Sequence, residues 1–219
     1  DRQGRSFVPT GITLSQLSAI DLRGLHPALH TTPLTVMCDI RNPLYGPDGA
    51  ACVFAPQKGA DNACVSRLDA GLRHLARVIA ASLHTDVSAL PGGGAAGGFG
   101  AGCAAFLGGT LRSGIETVLD VIQLDRRLPD YQLVVTGEGR LDAQSLDGKV
   151  VSGVARRCRA HGVPVAVLVG ALSLDRAALE ALGLSAARSI NPDGASYAEA
   201  AAHAAPNYRA ALTALLEEY

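Results

Sequence analysis

The stretch Val134-Val135-Thr136-Gly137-Glu138-Gly139-Arg140-Leu141-Asp142-Ala143-Gln144-Ser145-Leu146-Asp147-Gly148-Lys149 runs an apolar strand straight into two glycines interleaved with acids and bases. Open α/β sheets build ligand sites in this way, by releasing a strand at its carboxyl edge into a turn that glycine permits. The mixed charges suit a phosphorylated or carboxylated ligand. Glu138, Arg140 and Asp142 alternate, so an extended backbone would point all three side chains the same way. Such a set can bind magnesium through Asp142 or Glu138, clamp an anion with Arg140 and leave one acid to take a hydroxyl proton. It is also the composition of a surface salt-bridge cluster.

Working outward, Leu34–Cys38, Gln132–Thr136 and Pro164–Val169 are short, apolar and β-branched, as strands covered on both faces are. From Val65 onward Leu68, Leu72, Leu75, Val78 and Ile79 recur at helical steps, with Arg67, Arg73, Arg77 and His74 on the polar side. Further helices are expected over 98–112, 149–160, 175–182 and 198–217. Strand and helix alternate, so the fold class is α/β with mostly parallel sheet and flanking helices. A turn at Leu128-Pro129-Asp130-Tyr131 divides the chain into a central α/β domain, 1–130, and a second segment, 131–219.

Gly92-Gly93-Gly94-Ala95-Ala96-Gly97 satisfies G-x-G-x-x-G, yet Asp86-Val87-Ser88-Ala89-Leu90-Pro91 before it is a poor strand, and Glu116 and Asp120 are only imperfect candidates for the acid that should follow. It reads either as a flexible loop opening a tightly packed helix or as a backbone amide cradle for an anion at a helix start. Gly148-Lys149 is not a phosphate loop, because Ala143 and Val150 stand where glycine and a hydroxyl residue belong. Lys149 reads equally as a solvated first-turn residue, which leaves Lys58, in the constrained Pro56-Gln57-Lys58-Gly59 turn, as the better cation. Asp39, with Asn42 and Pro43, is either a strand-end acid or a turn cap.

The 219 residues, 48% hydrophobic, are enough for a real core. A net charge of −1 supplies no basic field, so nucleic acid is not an expected partner. The five scattered cysteines have no C-x-x-C spacing and read as thiols of a reducing cytoplasm. None of the six histidines falls in a zinc pattern, and no apolar run is long enough for a membrane span.

Three ordered segments resemble the type I glycerate kinases: VTGEGRLDAQSLDGK at 135–149, CDIRNPL at 38–44 followed by FAPQKGA at 54–60, and LPGGGAAGG at 90–98. The resemblance implies phosphoryl transfer from ATP, with magnesium, to D-glycerate. On it, Glu138, Arg140, Asp142 and Asp39 are candidate catalytic residues. Asn42, Gln57, Lys58, Gly92, Gly93, Gly94, Gly97, Gly98, Gln144 and Lys149 are candidate contacts to substrate or nucleotide. The amino-terminal strand and acidic Asp-Gly-Gly segment of that family have no counterpart here, so the chain resembles the carboxyl-terminal part of such an enzyme. Residues from 131 onward would then be half of a flavodoxin-like domain, with exposed faces prone to self-association. A non-catalytic anion-binding or assembly module and, on the glycine loop alone, a nicotinamide-dependent enzyme remain the alternatives.

Overall fold

Val165–Val169 is buried at every position and forms the middle strand of a three-stranded parallel sheet. The computed structural model describes residues 1, 3–142 and 150–218. These fall into two units, 1–114 and 115–219, and the turn at Leu128–Asp130 lies inside the second.

In the first unit β1 (Thr35–Met37) pairs in parallel with β2 (Thr110–Arg112). Between them come α1 (Ala50–Phe54), α2 (Asn62–Leu83) and α3 (Phe99–Leu107). The Asp61 carboxylate caps α2 by accepting from the Cys64 amide at 2.7 Å, and His84, at φ 53°, ends it. Leu72 and Ile79, on one stripe of α2, sit in a core with Leu44, Val87 and Ala101. Burial of each such side chain contributes about 1.5–3 kcal/mol.

The helix starts three residues before the Val65 expectation because Asp61 supplies its cap. His74 is not on a solvated face. It is half-buried, and its Nε2 contacts the Leu17 carbonyl at 2.7 Å, tying α2 to the amino-terminal loop. The helix expected over 98–112 stops at Leu107, since Gly108 turns left-handed at φ 65° and frees the next residues to pair with β1.

The second unit opens with α4 (Gly114–Val121) and α5 (Leu124–Arg127). Then β3 (Val134–Glu138), α6 (Val150–Ala160), β4 (Val165–Val169), α7 (Arg176–Leu182) and β5 (Ala186–Ser189) alternate, with sheet order β3-β4-β5, all parallel. Among the described strands β4 alone is buried at every position; β1 and β3 alternate between partly buried and exposed residues, as strands do with one face turned to the core. Val151, Ala155 and Cys158 of α6 pack with Val165, Val167 and Val169. Burial raises the Cys158 thiol pKa, which keeps it protonated.

Beside this core Arg157 meets Glu116, Asp120 and Asp125, tying α6 to α4 and α5, and these partners raise its pKa. The final helix is two: α8 (Tyr197–Ala202) and α9 (Ala204–Leu216). Pro206 forces the break at His203, because a proline ring deep in a continuous helix would collide with the carbonyl four residues back.

Candidate functional site

The carboxyl edge of the β3-β4-β5 sheet is assembled by close backbone approach. Beyond β3 the chain stays paired with the segment leaving β4. Gly170 N–H donates to the Glu138 carbonyl at 3.2 Å, Ala171 N–H to Gly139 at 3.1 Å, and Leu141 N–H to Ala171 at 2.9 Å. A Cβ on Gly170 would lie 2.5 Å from the Gly139 oxygen, and one on Gly137 would lie 2.4 Å from the Leu168 oxygen. Both glycines are there because a neighbouring carbonyl occupies the side-chain position.

Glu138 terminates β3 at this edge. Its Oε1 is buried and has no hydrogen-bond partner among the described residues. A buried carboxylate oxygen without a donor costs stability, and such costs concentrate where a ligand supplies the missing partner. Arg140, exposed, and Asp142, half-buried, follow on the same chain segment. Gln144 and Lys149 lie outside the described residues.

Sequence reasoning missed the other wall of this edge. Asn191, two residues past β5, donates through Nδ2 to the Gly170 carbonyl at 2.9 Å, and Ser189 Oγ donates to the Asn191 carbonyl at 2.9 Å. Asn207 of α9 steadies Asn191 through a 3.4 Å contact to its Oδ1. Three strand ends therefore converge, with polar side chains holding the β4 exit beside Glu138. The Asn191-Pro192 pair was the available signal, but it reads as an ordinary turn. The Ala-Ala-Arg-Ser strand before it has no β-branched residue to mark it.

In the first unit the loop after β1 closes on the glycine loop. Asp39 Oδ1 accepts from the Gly114 amide at 2.8 Å, and Asn42 Nδ2 donates to the Asp48 carbonyl at 2.8 Å, so both side chains hold backbone. Gly94 N–H donates to the Asn42 carbonyl at 3.0 Å. The amides of Gly93, Gly97 and Gly98 likewise go to the carbonyls of Leu90, Gly94 and Ala95. Those four glycines offer a ligand a close approach to backbone more than they offer it donors. Gly92 needs glycine twice over, with φ 81° and the Cys38 sulfur 2.8 Å from where a Cβ would sit. Gly94 has φ −77°, so any need for glycine there comes from crowding rather than from a left-handed backbone.

Gly97, Gly98 and Lys58 border a cavity of about 640 Å³ within this unit, whereas Asp39, Asn42 and Gln57 do not line it. Among the described residues no group of three or more His, Cys, Asp or Glu side chains could hold a metal. Magnesium does not need one, because it is usually held by one or two carboxylates together with water and phosphate oxygens. The unpartnered Glu138 oxygen, with Asp142 four residues on, fits that pattern.

The model of the glycerate kinase family matches residues 1–218. The chain is 44% identical to the glycerate 2-kinase of Escherichia coli K12 over 190 residues, 87% of this chain and 50% of that protein. It is 39% identical to the glycerate kinase of Bacillus subtilis 168 over 205 residues, 94% of this chain and 54% of that one. A crystal structure assigned to a glycerate kinase 2 of Salmonella typhimurium LT2 superposes with a TM-score of 0.81 at 40% identity, covering 100% of this chain and 58% of the other. The chain spans about half the length of the curated relatives it matches. No helix among the described residues is long and apolar enough to cross a membrane.

Proposed function

The chain belongs to the glycerate kinase family, and from that premise we propose that it supplies part of the site in which the γ-phosphoryl group of ATP passes to D-glycerate, giving 2-phosphoglycerate. The observation that carries this reading is the buried Glu138 oxygen at the carboxyl edge of a parallel sheet, which has no partner among the described residues and is followed at once by Gly139 and Arg140. The name of the Escherichia coli relative supports transfer to the 2-hydroxyl.

In phosphoryl transfer the substrate hydroxyl oxygen bonds to the γ-phosphorus as the bond to the β-phosphate oxygen breaks. The protein's work is mainly positioning and neutralising charge. Glu138 is the residue proposed to accept the proton that the hydroxyl loses: its backbone carbonyl is fixed by the Gly170 amide, and its side-chain Oε1 has no donor among the described residues. Arg140, on the exposed side of the turn, offers a fork of donors to a carboxylate or phosphate. Glu138 and Asp142 are the residues that would hold magnesium, which when bound neutralises phosphate charge.

The test is a coupled ADP-release assay with D-glycerate on the protein carrying this chain, together with product analysis for the 2-phosphate. Absence of glycerate-dependent ADP release would defeat the proposal. Arg140→Ala is expected to lower kcat/KM by about tenfold to thirtyfold, the worth of a charge-assisted contact, with little change in thermal midpoint. Arg140→Lys should recover only part of the loss, because an ammonium cannot reproduce the planar fork. Near-native kinetics for Arg140→Ala would remove that residue from the site.

A further inference from the structure

Gly170, the first residue past β4, is a peptide held from both sides. Its N–H donates to the Glu138 carbonyl at 3.2 Å, which ties it to the end of β3. Its carbonyl accepts from Asn191 Nδ2 at 2.9 Å, which ties it to the segment after β5. A carbonyl offers only lone pairs, so the Asn191 amide has to face it with nitrogen and turn Oδ1 the other way. There Oδ1 meets Asn207 Nδ2 of α9 at 3.4 Å. Ser189 Oγ accepts from the Asn191 N–H at 3.3 Å and donates to the Asn191 carbonyl at 2.9 Å, so the main chain of this half-buried residue is fixed along with its side chain.

These bonds run in one line, from α9 through Asn207, Asn191 and Gly170 to the backbone of Glu138. Gly170 has no slack, since a Cβ there would already lie 2.5 Å from the Gly139 oxygen. A shift of the β4 exit therefore carries the Glu138-Gly139 turn with it. An asparagine in a turn ordinarily bonds its own backbone a residue or two on. Asn191 reaches back 21 residues instead, and the line it closes ends on the residue whose carboxylate keeps a buried oxygen with no donor among the described residues. Catalytic groups need this kind of support, because their geometry must hold to a fraction of an ångström. We infer that Asn191 is a positioning residue of the transfer, acting through Gly170 to hold Glu138 in place. This rests on the kinase reading above.

The experiment measures kcat and KM for ADP release with D-glycerate, amide hydrogen exchange at Gly170 and the thermal midpoint, all on the protein carrying this chain. Asn191→Ala should lower kcat about tenfold, as a small misplacement does, and leave the KM values within about twofold. Exchange at Gly170 should quicken about tenfold or more while exchange in α2 stays unchanged. Asn191→Asp keeps the shape but sets a carboxylate oxygen against the Gly170 carbonyl, so it should be impaired at least as much. A packing role would leave the aspartate variant near wild type. In the Glu138→Gln background Asn191→Ala should cost less than about a further twofold, because the group it positions is gone. Asn207→Ala loosens only the far end of the line and should lower kcat about threefold, which serves where Asn191→Ala does not fold.

Wild-type kcat in Asn191→Ala or Asn191→Asp would overturn the assignment. So would a loss fully additive with that of Glu138→Gln, or one confined to KM, which would make Asn191 a ligand contact. The two readings fail separately. Unchanged Gly170 exchange in Asn191→Ala, with ADP release persisting, removes the positioning role and leaves the kinase. Faster Gly170 exchange in a protein that never releases ADP with glycerate keeps the clamp and removes the kinase.

Discussion

Glu138→Gln is expected to lower glycerate-dependent ADP formation by about a hundredfold or more, the usual contribution of a positioned proton acceptor. Glutamine keeps the shape of the side chain and its place at the end of β3, but it cannot take up a proton or offer a carboxylate to magnesium. The loss should fall mainly on kcat, since the group acts as charge develops rather than in ground-state binding. Stability should move the other way. The Glu138 Oε1 atom is buried without a partner among the described residues, so removing the charge removes an uncompensated desolvation cost, and the thermal midpoint should hold or rise. Both quantities are measured on one preparation. A fall in midpoint that parallels the fall in activity would mean that Glu138 is structural and that the proposed role is wrong.

Gly94→Val is expected to be strongly destabilising, costing about 3 kcal/mol or more. A Cβ at Gly94 would lie 2.4 Å from the Pro43 carbonyl oxygen and 3.1 Å from that of Asn42, so the loop after β1 and the glycine loop would have to separate. For a unit of this size the midpoint should fall by about 10 °C or more. Gly94→Ala should reproduce most of the effect, because the collision is with the Cβ itself and φ at this residue is already ordinary at −77°. Thermal unfolding of the two variants checks this, and an alanine variant as stable as wild type would show that the loops can part without cost.

Much of the fold was legible because it is written in local pattern. Val165 to Val169 had to be a covered strand, and the three- and four-residue spacing of Leu68, Leu72, Leu75 and Ile79 had to be a one-sided helix. What was missed has weak local signal. Thr110–Arg112 follows a helix so closely that only its pairing with β1 makes it a strand, and Ala186–Ser189 has no β-branched residue. Pro206 was visible in the chain, yet its effect depended on how far the preceding helix would run.

The candidate site divides along the same line. The order of residues in Glu138-Gly139-Arg140-Leu141-Asp142, and the strand before it, are matters of sequence, and they pointed to an anionic ligand, whereas phosphoryl transfer was implied only by the resemblance to the glycerate kinases. Folding decided which polar groups have partners. It placed Asp39 and Asn42 on backbone atoms, engaged the amides of Gly93, Gly94, Gly97 and Gly98, left one oxygen of Glu138 without a donor among the described residues, and brought Asn191 to the Gly170 carbonyl. Local sequence sets propensity and periodicity over a few residues, whereas satisfaction of a hydrogen bond depends on atoms that only the folded chain brings within about 3 Å of one another.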